Sequence, residues 1–276
     1  MKDYALELAA SKSSSNAKRN VMREYLQAYI LKILHKEEFF QTAAFLGGTA
    51  LRFLHGLPRF SEDLDFSLEK KGSYSLEDTA QKIKRELDLA GFHMSVTYRE
   101  ERTVQNVSIK FEELLYEAGL SPVQGQKFFI KIELDTNPPQ GATLETKIVN
   151  KFFPMAFLSH DLLSLFAGKL IALFVRKYTK GRDFFDLGWY LSRWKDLFPN
   201  IALLQNALRQ TDWKGKIPSE ADWRDLLYGV VEKADWKKVK QDVENFLENP
   251  ADLDVFTQSN VLQLLKDERE IERKTI

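Results

Sequence analysis

Apolar residues recur along this chain with two different periods, and each change of period marks a change of element. From about Lys18 to Lys36, Val21, Tyr25, Tyr29 and Ile33 fall four apart, which predicts an amphipathic helix. "SKSSSN" (Ser11 to Asn16) separates it from a short N-terminal segment. Phe45 and Leu46 give a short strand or turn, Gly47 and Gly48 open a helix through about His55, and Gly56 and Pro58 end it. The period then becomes two. Leu64, Phe66 and Leu68 alternate with Asp63, Asp65 and Ser67, so a strand here turns its apolar side to a core and both aspartates the other way. A helix is predicted after Lys71 with a glycine stop at Gly91, followed by strands in "HMSVTY", "NVSIKF" and "KFFIKIELDT". In the last of these Phe128, Ile130, Ile132 and Leu134 oppose Phe129, Lys131, Glu133 and Asp135, so Glu133 and Asp135 share a face.

From Ser159 onward the pattern is helical. "SHDLLSLFAGKLIALFVRKY" begins at a Ser cap, and "RDFFDLGWYLSRW" follows Gly181. "ADWRDLLYGVV" and "ADWKKVKQDVENFL" read as helices capped by Asp222 and Asp235; the spacing of their shared "ADW" is too short for a solenoid repeat. The expected class is therefore α+β: a mixed α/β domain with a small sheet over residues 1–150 and a helical domain over 151–276. Most of the five tryptophans are expected in helical cores, and an exposed one could stack a base.

Composition narrows the functions. The chain has 276 residues, 44% hydrophobic and 29% charged, enough for a substantial core. Its 40 basic and 40 acidic side chains cancel, so binding to nucleic acid needs a local patch. The absence of cysteine removes disulfides, thiolate metal sites and cysteine nucleophiles and agrees with a reducing compartment, so the cytoplasm is expected. The longest apolar run, "LLSLFAGKLIALFV", is broken by Lys169 and too short to span a bilayer, and the N-terminus lacks the apolar stretch of a signal peptide.

Asp63 and Asp65, two apart on one strand, suit a divalent cation with oxygen ligands, Mg²⁺ or Mn²⁺. A third carboxylate from a neighbouring strand, Glu133 or Asp135, would complete a site for ions bound against a nucleotide's phosphates; Asp135 is slightly favoured because it lies nearer its strand end. Gly47 and Gly48 at a helix start would let backbone N–H groups approach those phosphates, with Thr49 adding a hydroxyl. The competing reading is a capped helix beside an edge strand with exposed acids.

A Gly-Gly turn, a helix and an Asp-x-Asp strand with a later strand acid resemble the DNA polymerase β-like nucleotidyltransferases. "FLGGTALRFLHGLPRFSEDLDFSL" is similar to the first motif of the AbiEii/AbiGii toxin family of toxin–antitoxin and phage-defence systems, with Arg52, Arg59, Ser61, Asp63 and Asp65 at its expected places. "AGKLIALFVRKYTKGRDFFDLGWYL" resembles the family's downstream lysine, arginine and Arg-Asp-x-x-Asp pattern, and the likeness spans about residues 40 to 195. It implies transfer of a nucleoside monophosphate from an NTP, with the tRNA 3′ end as the most plausible acceptor and a cognate antitoxin as partner. It also implies that Lys169 and Asp183 serve the site, with Asp186 supporting, and that Arg52, Arg59, Ser61 and Lys169 contact the nucleotide. Each has a plainer alternative: Lys169 snorkels to solvent, Asp183 and Asp186 favour a helix N-terminus, Arg52 and Arg59 are counter-ions, Arg176 and Arg182 are ion-pair partners, and His55 is a helix-end residue. Rival functions are a small-molecule (aminoglycoside-type) or protein nucleotidyltransferase and a non-catalytic nucleotide- or RNA-binding module.

Overall fold

The computed structural model describes residues 1–70 and 74–266, which divide into two compact units. The first comprises Met1–Pro138 and Leu144–Ser159; the second comprises Pro139–Thr143 and the chain from His160 onward. No helix of the described residues is long and apolar enough to cross a membrane.

In the first unit, helices α1 (Lys2–Ala10) and α2 (Ser15–Lys36) precede strand β1 (Ala43–Leu46), α3 (Gly47–His55), β2 (Leu64–Leu68) and α4 (Leu76–Leu89). Strands β3 (Met94–Arg99) and β4 (Val104–Phe111), the short α5 (Leu114–Glu117), β5 (Phe128–Asp135), β6 (Leu144–Asn150) and β7 (Pro154–His160) complete it. The strands form one mixed sheet in the order β3-β4-β5-β2-β1-β7-β6, so the expected α+β class holds.

Local chemistry accounts for the boundaries. Ser14 caps α2 by accepting the Ala17 N–H at 3.2 Å, and Ser75 caps α4 by accepting that of Asp78 at 3.1 Å. Gly56, at φ +72°, ends α3 in the left-handed conformation. Leu64 and Phe66 are buried on β2, and Val107, Ile109 and Phe111 on β4. Phe45 packs on Phe66 and Phe157 with ring centroids 5.3 and 5.5 Å apart, tying β1, β2 and β7 together.

The periodicity reading passes over β6 and β7. Ser159, expected to cap a helix, is instead fully buried in β7 beside Phe45 of β1. The cap belongs to Asp161, whose Oδ1 accepts the Ser164 N–H at 2.8 Å.

The second unit holds α6 (Leu162–Val175), α7 (Gly181–Arg193), α8 (Ile201–Gln210), α9 (Trp223–Glu232), α10 (Trp236–Glu244), α11 (Asp252–Val255) and α12 (Gln258–Leu265). Asp235 caps α10 through the Lys238 N–H at 3.3 Å. Asp222 stands at the start of α9 but accepts instead from the Ser219 backbone and hydroxyl, at 2.6 and 2.8 Å, so its capping role is a correction to the sequence reading. Trp189 and Trp223 are buried as expected.

Candidate active site

β2 is the middle strand of the sheet, and the turn from β1 into α3 lies against it. Gly47 has φ +79°, and a Cβ there would stand 2.2 Å from Asp65 Oδ2 and 3.0 Å from Asp65 Cβ. Glycine is required twice over, by backbone conformation and by the carboxylate against it. At Gly48 a Cβ would meet Ser61 Oγ at 2.8 Å and an Arg59 guanidinium nitrogen at 3.0 Å. The fold thus gathers Gly47, Gly48, Arg59, Ser61 and Asp65. No side chain caps α3, so its first amides are donors without intrahelical partners beside these groups.

Other predicted contacts resolve differently. Thr49 is buried, and its hydroxyl donates to the Asp63 carbonyl, so it holds the start of β2 in place. Arg52 is buried, donating to Glu24 Oε1 at 2.6 Å and to the Leu57 carbonyl at 2.9 Å with its guanidinium over the Phe60 ring: the counter-ion reading. Arg59 is 2% exposed and donates to the Phe60 carbonyl at 2.8 Å. His55 lies near Lys147 and Glu145, in keeping with a helix-end residue.

Sequence reasoning missed the polar stripe that supports the site from α2. Gln27 Nε2 donates to the carbonyls of Ser61 and Glu62 at 3.2 and 2.9 Å, pinning the loop before Asp63. Glu24 receives Arg52 and also Lys151, at 2.5 Å. Asn20, Glu24 and Gln27 are all buried at helical spacing. Polar residues three and four apart on an otherwise apolar helix were the available signal.

The parallel pairing of β2 with β5 sets Asp65 opposite Glu133 and Ser67 opposite Asp135. Glu133 is thus the β5 acid beside the aspartate pair. Asp135 lies two residue pairs further along and accepts the Asn137 N–H at 2.9 Å. Lys131, on the same face of β5, pairs with Glu133. Its proton is held more tightly than usual, first by the hydrogen bond to Glu133 and more weakly by the charges of Asp63 and Asp65. Among the described residues no three His, Asp or Glu side chains converge as metal ligands. An Asp63/Asp65 pair nevertheless fits Mg²⁺, which takes one or two protein carboxylates and completes its shell with water and substrate phosphates.

Within the second unit, Asp183 and Asp186 project from one face of α7 and are almost fully buried. Lys169, on α6, lies 2.8 Å from Asp186 Oδ2 and 3.7 Å from Asp183 Oδ1 with its side chain only 12% exposed, so it does not snorkel. Arg176 Nε is 3.0 Å from Asp183 Oδ2 but off the hydrogen-bond axis, leaving that buried oxygen ion-paired without a hydrogen bond. Arg182 holds Asp242 through its backbone N–H at 3.2 Å and stacks on Phe246, a structural role.

Residues 29–258 match the family described as "Nucleotidyl transferase AbiEii toxin, Type IV TA system". The chain belongs to this AbiEii family. It is accordingly a nucleotidyltransferase toxin of a type IV toxin–antitoxin system, and membership implies an NTP substrate and an antitoxin partner. No curated protein matches. Three solved structures share the AbiEii chain's fold at low identity. MenT4, a nucleotidyltransferase toxin from Mycobacterium tuberculosis H37Rv, has a TM-score of 0.60 at 16% identity, covering 99% of this chain and 92% of its own. JHP933 from Helicobacter pylori gives 0.56 at 18% identity, with 91% and 94% covered. A putative nucleotidyltransferase from H. pylori gives 0.51 at 20%, with 90% and 93% covered.

Proposed function

We propose that this AbiEii chain transfers a nucleoside monophosphate from an NTP to the 3′-terminal hydroxyl of an RNA, tRNA by preference, in the cytoplasm. The observation that carries the proposal is the contact of Asp65 with Gly47, which sets a carboxylate pair beside a glycine turn and uncapped helix amides. The α3 amides and Ser61 hold the triphosphate, an arrangement suited to anions at a helix N-terminus. Asp63 and Asp65 would hold Mg²⁺, which would supply neutralisation of the phosphates' negative charge. Glu133, the register partner of Asp65, accepts the acceptor hydroxyl's proton. The hydroxyl oxygen bonds to the α-phosphorus, the α–β bridging bond breaks, and pyrophosphate leaves. We assign the third acid to Glu133 in preference to Asp135 on this register. Thr49 and Arg52 are positioning groups.

The test is incubation with each α-labelled NTP, Mg²⁺ and total tRNA, beside Asp63→Ala/Asp65→Ala. Label on tRNA that vanishes in the double variant supports the reading. Pyrophosphate release without labelled RNA moves the acceptor to another class, and neither product with any NTP or acceptor refutes the transferase mechanism.

A further inference from the structure

The two edges of the sheet differ. At one, β3 has α4 packed against it and runs into the charged Arg99, Glu100, Glu101 and Arg102, the kind of protection that keeps sheet edges from joining. At the other, no described strand pairs with the outer side of β6. β6 is seven residues long and has no proline. It exposes Leu144, Thr146, Ile148 and Asn150 in alternation, none of them charged. Its charged side chains, Glu145 and Lys147, lie on the other face, 3.1 Å apart and beside His55 of α3. The open edge is also a hydrogen-bonding surface. β7 follows β6 after residues 151–153, so the two run antiparallel, and beyond their ends the Thr143 carbonyl accepts the Asp161 N–H at 2.9 Å. Continuing that ladder turns the N–H and C=O groups of Glu145, Lys147 and Val149 toward β7 and those of Leu144, Thr146 and Ile148 outward.

"LETKI" is its own complement about Thr146. In an antiparallel pairing of two copies centred there, Leu144 meets the partner's Ile148, Glu145 meets the partner's Lys147, and Thr146 meets the partner's Thr146, as a pair whose N–H and C=O groups already point outward. Centring the pairing on Lys147 or on Glu145 would set like charges opposite each other, which is unfavourable. Glu145 and Lys147 cancel within each chain, so they select the register, while the outward amides and the apolar Leu144/Ile148 pairs supply the attraction. We infer that β6 pairs antiparallel with β6 of a second copy of this chain, about a two-fold axis at Thr146, joining the two sheets edge to edge as a dimer.

Sedimentation velocity of the full chain from about 1 to about 100 μM, the range in which a small interface populates both states, should show a reversible monomer–dimer equilibrium. Thr146→Pro deletes an amide that faces solvent in the monomer, which an edge strand tolerates. It removes both hydrogen bonds of the central pair and should weaken the dimer at least about 10-fold. Ile148→Glu, at a position 82% exposed in the monomer, is the second variant if the first does not fold. Lys147→Glu sets acids opposite acids and should weaken the dimer about fivefold, and Glu145→Lys/Lys147→Glu, which restores the alternation of sign, should recover the wild-type affinity. Because the chain has no cysteine, Thr146→Cys reports the axis. The paired Cα atoms would stand about 5.5 Å apart, within disulfide reach, so the two thiols should pass two protons and two electrons to added oxidised glutathione and link the copies. Ile148→Cys, whose counterpart lies further along the strand, should not cross-link. A chain that is monomeric at every concentration overturns the inference, as does dimerisation untouched in folded Thr146→Pro or Ile148→Glu. Cross-linking of Lys147→Cys in preference to Thr146→Cys overturns the register. A monomer whose β6 amides are protected from exchange only when the antitoxin is added assigns the edge to that partner and overturns the second copy.

Discussion

Replacing Gly47 with alanine tests the geometry most directly. The backbone there is left-handed, and an alanine pays about 1–2 kcal/mol for it. The larger effect is steric. The new Cβ would lie 2.2 Å from Asp65 Oδ2, 2.9 Å from Cγ and 3.0 Å from Cβ, so side-chain rotation does not clear the clash. Asp65 is also pinned in the sheet opposite Leu46 and Glu133. The carboxylate must therefore retreat by roughly 1 Å, a displacement that costs on the order of 100-fold in rate when the group orients reacting atoms. Gly47→Ala should lower the NMP-transfer rate by about that factor while lowering the melting temperature by only a few degrees. Gly48→Ala, which lacks the positive φ and meets chiefly the Ser61 hydroxyl and the end of Arg59, should lose less. A Gly47→Ala protein that is folded and transfers within threefold of the wild-type rate would refute the assignment of Asp65.

Other outcomes are expected. Arg52→Ala strands buried Glu24 and should destabilise the first unit by about 3 kcal/mol, the low end of the range because Lys151 still reaches that carboxylate; denaturant unfolding measures it. Glu133→Gln should reduce the rate of NMP transfer at least about 10-fold, whereas Asp135→Asn should change it by less than about threefold; single-turnover kinetics with a labelled NTP compare the two. Asp186→Asn leaves Lys169 without its nearest carboxylate and should lower thermal stability by several degrees, read by calorimetry. Lys180 stands at the start of α7, where burial first and then nearby Arg182 and Arg176 push its ammonium below the usual lysine range. Because the native state binds that proton less tightly, Lys180→Gln should raise the stability of the second unit at neutral pH, read as a higher melting temperature. The gain should fade as pH rises through the lowered lysine value toward about 10.4, where the unfolded lysine also discharges. A gain constant to pH 11 would contradict the cause.

The period-two runs made β2, β4 and β5 legible, and the same alternation placed Glu133 with Asp135 on one face of β5, whereas Asp63 falls just before β2 rather than in it. β6 escaped because its apolar side chains do not face a core: Ile148 is 82% exposed on a sheet-edge strand. β7 escaped because Phe152, Phe153 and Pro154 blur the alternation of Met155, Phe157 and Ser159. Register was the deeper gap. Nothing within "KFFIKIELDT" tells whether Glu133 or Asp135 will stand beside Asp65, because that depends on how β5 slides along β2. Arg52 was read from its place in a motif and Thr49 from its place at a helix start, but their partners, Glu24 and the Asp63 carbonyl, are supplied by folding.

The sheet order puts the acid-bearing strand fourth of seven, with ladders to β1 on one side and β5 on the other. Releasing Leu64–Leu68 by local opening would require breaking both ladders, so its amides should exchange with solvent only as the first unit unfolds as a whole. Partial melting is therefore a poor route to silencing this toxin. An inhibitor that spares the fold has to cover the acids or compete for what they bind.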